Sequence, residues 1–107
     1  MIEPMRVFMK VSMPVEAGNA AARSGSLGKI IQGILADLKP EAAYFTDSNG
    51  MRTGLLFFDL ADASQIPAVA EPWFLALNAA VEIHPVMTLE DLAKAGPGIE
   101  AAVKKYT

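Results

Sequence analysis

The chain has 107 residues, 52% of them apolar and 20% charged, so it is expected to fold as one globular domain over 1–107 that buries roughly two thirds of its unfolded surface. It has no cysteine, which excludes a disulfide framework, a thiolate nucleophile and a cysteine-based zinc site. The net charge of −3 comes without a Lys/Arg cluster, Met1–Arg6 lacks the apolar stretch of a signal peptide, and no run reaches membrane-spanning length, so neither nucleic acid nor membrane is expected as a partner and a cytoplasmic address is.

The first element is a strand. Met5, Val7, Met9, Val11 and Met13 alternate with Arg6, Phe8, Lys10 and Ser12, a period of two that gives one apolar and one mixed face. The Met-rich face reads as adaptable core filling, and Pro14 ends the strand. Residues 15–23 are Ala-rich and helix-permissive. After Ser24-Gly25-Ser26, the residues Leu27, Ile30, Ile31, Ile34, Leu35 and Leu38 recur at helical spacing, with Ser26 as the expected N-cap and Lys39-Pro40 as the stop. The glycines around Lys29 do not make a phosphate loop, because the pattern requires two glycines five apart, whereas Gly25 and Gly28 are closer, and Ile30 stands where Ser or Thr is required.

Asn49-Gly50 then sits between two strand-like runs. A two-residue turn there needs positive φ at both positions, which this dipeptide supplies, and it fixes a register. Ser48 faces Met51, Asp47 faces Arg52, Thr46 faces Thr53, Phe45 lies over Gly54 and Tyr44 faces Leu55. Ala43, Phe45, Leu56, Phe58 and Leu60 therefore share the face that helices should cover. Tyr44, Thr46, Thr53, Leu55, Phe57 and Asp59 share the other.

Further on, Ile66, Val69, Ala70, Trp73 and Leu77 keep helical spacing. Pro67 and Pro72 predict a short turn over 64–70 and a helix restarting near Pro72 and running to Asn78, since proline is tolerated in a first turn but not in an interior. Trp73 is expected in the core, with Phe74 off the stripe. Val81 to Met87 alternates again, and Pro85 marks it as an edge strand. Thr88-Leu89-Glu90-Asp91 resembles a capping box opening a helix that Gly96 closes, followed by a last amphipathic turn or two ending at Tyr106.

The order β-α-β-β-α-β is that of an α+β, ferredoxin-like antiparallel sheet with strand order 4-1-3-2, a core over 5–88 and a C-terminal helical extension over 89–107. Both helical regions then cover one face. The open face carries Arg6, Phe8, Lys10, Tyr44, Thr46, Leu55, Phe57, Asp59, Glu82, His84 and Val86, an apolar patch with polar tips that a monomer seldom leaves in water. A homodimer packing these faces together, braced by the C-terminal segment, is expected. The strand order, the half-apolar face and the length resemble the dimeric α+β barrel group. Lys39-Pro40-Glu41-Ala42-Ala43-Tyr44-Phe45 and Glu71-Pro72-Trp73-Phe74-Leu75 are similar to stretches of small bacterial members without an assigned activity. What the resemblance implies is a barrel formed by two subunits. Characterised members include cofactor-independent monooxygenases, lactone isomerases and haem-binding enzymes, whose chemistry is too varied to transfer.

Chemistry is therefore argued from the open face. His84, the only histidine, is the candidate catalytic base or donor. Arg6, Phe8, Lys10, Tyr44, Phe57 and Glu82 are the candidate ligand-binding residues, with Lys10 or Arg6 holding an anionic or carbonyl group. The plainer reading makes Lys10 and Glu82 an ion pair and His84 an interface residue, in a side-chain-filled barrel that acts as a structural or interaction module. One histidine with only Glu82 and Asp59 on its face makes a metal site unexpected, and the missing basic cluster for propionates leaves haem unsupported; no cofactor is expected.

Overall fold

Period-two patterning and one reverse turn build a four-stranded antiparallel sheet in the computed structural model, which describes residues 4–107. The leader reading of Met1–Arg6 falls partly on residues 1–3, outside the described residues. The strands are β1 (Met5–Ser12), β2 (Ala42–Ser48), β3 (Met51–Leu60) and β4 (Ala80–Pro85). Their order across the sheet is β2-β3-β1-β4, the expected 4-1-3-2 seen from the other edge and compatible with a ferredoxin-like fold. The hairpin register is the one that the turn dictates: Ser48 pairs with Met51, Asp47 with Arg52, Thr46 with Thr53 and Phe45 with Gly54. Asn49 and Gly50 have φ of 54° and 76°, as a two-residue turn of this type requires. Arg52, however, reaches across to the helix over Val15–Arg23 and donates to Asn19 Oδ1 at 3.0 Å. Its side chain lies on the helix-covered side, against Gly18.

The first crossover holds two helices, α1 (Val15–Arg23) and α2 (Leu27–Leu38); the second holds α3 (Ile66–Leu77). Gly25, at φ 77°, turns the chain between α1 and α2. Ser26 does not cap α2. Its backbone is already helical, and its hydroxyl donates to Ala21 O at 3.4 Å and meets the Ser24 hydroxyl at 2.7 Å. Lys39 ends α2 in a left-handed conformation, its N–H donating to Leu35 O at 2.8 Å. Pro40 follows and cannot continue the helix.

Helices α1 to α3 close over one face of the sheet. Val7, Met9 and Val11 of β1, Leu56, Phe58 and Leu60 of β3, and Trp73 and Leu77 of α3 are buried there, and the apolar stripe of α2 packs against them half-buried. Each fully buried large aliphatic side chain contributes about 1.5–3 kcal/mol, so this layer carries the fold.

Two expectations about the helices are corrected. The region after β3 is a 3-10 turn over Ala63–Gln65 leading into one uninterrupted helix that contains Pro72. Pro67 lies in its first turn, where no N–H is needed. Burial of Ala70, Trp73 and Leu77 on one stripe offsets the single backbone hydrogen bond that Pro72 cannot make. The capping box is present: Asp91 N–H donates to the Thr88 hydroxyl at 3.1 Å and Thr88 N–H to the Asp91 carboxylate at 3.0 Å. It opens α4 (Leu89–Lys94), which ends at Ala95. Gly96 does not end the C-terminal helices but starts α5 (Gly96–Tyr106), with Pro97 in its first turn.

Helices α4 and α5 contact chiefly one another. The radius of gyration is 17.4 Å and the long axis 58 Å, against about 13 Å expected for the radius of gyration of a globular domain of this length. The C-terminal extension is therefore an arm standing away from the sheet and its helix layer.

Candidate functional site on the open sheet face

The alternation that buries Val7, Met9 and Val11 turns Arg6, Phe8, Lys10 and Ser12 to the opposite face, and the register between strands sets their neighbours. Phe8 pairs with Phe57 of β3 on one side and His84 of β4 on the other. Phe8 and Phe57 stack with ring centroids 5.1 Å apart and planes 27° from parallel; Phe8 and His84 stack at 6.4 Å and 19°. The three rings form a row across β3, β1 and β4. Phe8 and Phe57 are half-buried by their neighbours and His84 is exposed. Tyr44 extends the patch towards β2, 61% exposed, with Leu55 as its cross-strand partner.

Lys10 lies one pair along from the row, between Leu55 and Glu82. Directly opposed residues have Cβ atoms about 4.5–5.5 Å apart, yet Lys10 and Glu82 form no ion pair among the described residues, where both pairs belong to Arg6. Arg6 Nε donates to Asp59 Oδ1 at 2.7 Å, and its Nη1 pairs with Glu41. Glu41 is brought in because its N–H donates to Phe57 O at 2.9 Å, extending the β2–β3 ladder by one residue. Arg6 is thus drawn towards β3 and β2, away from Glu82 and His84, and its guanidinium is already shared by two carboxylates. At the other end of the face the Ser12 and Thr53 hydroxyls lie 3.4 Å apart.

All seven residues singled out in the sequence fall on one face by register: Phe8, Phe57 and His84 in contact, Lys10 and Glu82 as a cross-strand pair beside them, Tyr44 at the β2 side and Arg6 at the far end. Neither Lys10, Glu82 nor His84 has a side-chain hydrogen-bond partner among the described residues. Sequence reasoning missed the Arg6–Asp59–Glu41 cluster. The signal was available only once Phe8 is set opposite Phe57, which puts Arg6 opposite Asp59. Among the described residues no group of three or more His, Asp or Glu side chains is placed to hold a metal ion, and no helix is long and apolar enough to cross a membrane.

Two concavities lie on the helix side. One, of about 390 Å³, opens between α2, α3 and the end of β3 near Ile34, Leu38, Val69 and Pro72. The other, of about 370 Å³, lies between α2 and β2 and is walled by Met13, Leu27, Ile31 and Phe45. Neither is lined by Phe8, Lys10, Phe57 or His84. In a single chain the aromatic row is a surface, and only a second body laid over it makes an enclosed site. Compared with known protein families, curated proteins and solved structures, the chain matches none.

Proposed function

We propose that this chain is one half of a homodimer in which two open sheet faces close on each other as an α+β barrel, and that the enclosed space binds a small planar organic anion or carbonyl compound. The observation that carries this reading is the row Phe57–Phe8–His84, left uncovered by helices α1 to α3, with the Lys10 ammonium beside it and paired to no carboxylate among the described residues. Faces of stacked sheets sit about 10 Å apart when side chains fill the space between them, so a flat molecule bound there takes the place of part of that filling. Aromatic walls supply apolar contact and a lone cation supplies orientation, the usual composition of a small-molecule site. Arg6 is assigned to holding the strands together, because its donors already serve Asp59 and Glu41.

Binding is favoured over catalysis because His84 has no hydrogen-bonded carboxylate or other orienting group among the described residues, and a general base is ordinarily positioned by one. A second reading, a barrel filled by its own side chains, draws on the mutual stacking of Phe8 and Phe57. Doubled across the dimer, those rings could occupy the gap themselves. One experiment separates them. Light scattering at micromolar concentration should give twice the chain mass of 11.4 kDa, and benzoate or phenylpyruvate should raise the melting temperature of the native chain but not of Lys10→Ala. A dimer indifferent to every aromatic and keto acid tested favours the filled barrel, and a single-chain mass overturns both.

A further inference from the structure

The arm that follows β4 carries an apolar stripe that stays largely exposed among the described residues. Ile99, Val103 and Tyr106 of α5 recur at i, i+4 and i+7 on one face, and Leu89 and Leu92 continue the apolar surface on α4. Leu89 is 83% exposed and Tyr106 78%, with Leu92, Ile99 and Val103 about half exposed. Short helices of this length hold in water mainly through tertiary packing. The body of the same chain carries a groove between α2 and β2, lined by Met13, Leu27, Ile31 and Phe45 together with Thr46, Arg52 and Thr53, where Phe45 is 52% exposed although it lies on the helix-covered face. Arm and groove belong to opposite edges of the sheet, since β4 is one edge strand and β2 the other.

We propose that the arms are exchanged, the α5 stripe of each copy seated in the α2–β2 groove of a second copy of this chain. The area supports that occupant. The chain exposes 7381 Å², whereas a folded monomer of its mass exposes about 5,800 Å². The excess of about 1,600 Å², which the open sheet face and the arm share, is twice the ~800 Å² per partner of a standard interface, room for a face contact and an exchanged arm together. A twofold axis satisfies both arms and both grooves at once, leaving no unfilled end. This inference rests on the dimer proposed above and adds where its arms lie.

The absence of native cysteine allows a direct test in the full chain. A chain carrying Val103→Cys is mixed with a mass-tagged chain carrying Phe45→Cys under mild oxidation, and in parallel with one carrying Leu55→Cys on the open face. Each chain then has a single thiol, so any bridge joins two copies. The expected result is a mixed product at least fivefold more abundant with Phe45→Cys than with Leu55→Cys; equal or reversed yields overturn the proposed seat. Independently, Ile99→Glu with Val103→Glu should raise the dimer dissociation constant at least tenfold in sedimentation with far-ultraviolet dichroism unchanged. If that variant dimerises as the native chain does and no arm–groove bridge forms, arm exchange is wrong while the face-to-face dimer stands. A native chain that is monomeric at micromolar concentration sinks both, as does an arm that instead carries the monomer onto anionic phospholipid vesicles.

Discussion

Trp73 is 1% exposed in the centre of the core, and its indole Nε1 has no hydrogen-bond partner among the described residues. A buried donor left unpaired costs about 1–3 kcal/mol relative to one that is satisfied. Trp73→Phe removes that donor. It also removes apolar surface worth about two methylenes, or ~1.6 kcal/mol at ~0.8 kcal/mol each. The space vacated, roughly 40 Å³, adds about 1 kcal/mol at ~24 cal/mol per Å³ of cavity. The losses come to about 2.6 kcal/mol and the relief to about 2, so the net destabilisation expected is within about 1 kcal/mol, a fall of about 4 °C in melting temperature at most. Trp73→Ala, which deletes the whole ring, should lose about 3–5 kcal/mol. Urea unfolding followed by far-ultraviolet dichroism is the suitable assay, because the only tryptophan is the residue being changed. All variants are compared at one chain concentration, since association adds to apparent stability by mass action. A loss above about 3 kcal/mol for Trp73→Phe would refute the reasoning, because it would mean that the N–H is well satisfied in solution.

Three further outcomes follow from local geometry. Gly50 sits at φ 76° in the hairpin turn, and Gly50→Val should destabilise by about 1–2 kcal/mol, the cost of a left-handed residue with a branched side chain; an unchanged denaturation midpoint would mean that the turn rearranges freely. Gly18→Ala places a methyl 2.8 Å from Arg52 Nη1. That flexible exposed end should swing off Asn19 and lose a bond worth about 0.5–1.5 kcal/mol, while α1 gains about 1 kcal/mol of helix propensity, so thermal unfolding should change by less than about 1 kcal/mol and a larger loss would show the arginine to be held. The Asp91 carboxyl lies below the ordinary aspartate range because the Thr88 backbone N–H, and then the Thr88 hydroxyl, hydrogen-bond its ionised form. A depressed folded value means that the capping contribution is complete above the ordinary aspartate value and is lost as pH falls through the folded one. Carboxyl-carbon NMR should therefore show Asp91 titrating below a free aspartate, and Thr88→Ala, which keeps the backbone N–H, should move it part of the way back up; no movement would dissociate the shift from the hydroxyl.

The sheet was legible because two strong local rules act on it. Alternation at Met5–Met13 and a turn at Asn49-Gly50 leave little freedom about which residues share a face, and a slip of one residue would expose Val7, Met9 and Val11 together. The helices were less legible wherever proline stood in them. Pro72 argues locally for a break, yet Trp73 and Leu77 are buried on the same stripe as Ala70, and that burial outweighs one missing bond. At Gly96-Pro97-Gly98 the reverse bias applied: two glycines read as a terminus, although Pro97 suits a first helical turn. For the candidate site, the membership of the open face was readable but not the pairing along it. Period two fixes the face of Arg6 and leaves its partner open, so only the β1–β3 register brings Asp59 and Glu41 to it.

The same register has a kinetic side. The hairpin closes between neighbours in sequence, on the microsecond scale typical of two-residue loops, whereas Met9 must find Leu56 and then Ile83, contacts whose loop-closure entropy is met late. During synthesis β4 also emerges after the other three strands. A nascent chain can therefore present three paired strands while its final strand is still searching, and in that interval a neighbouring chain competes with its own for the vacant edge of β1.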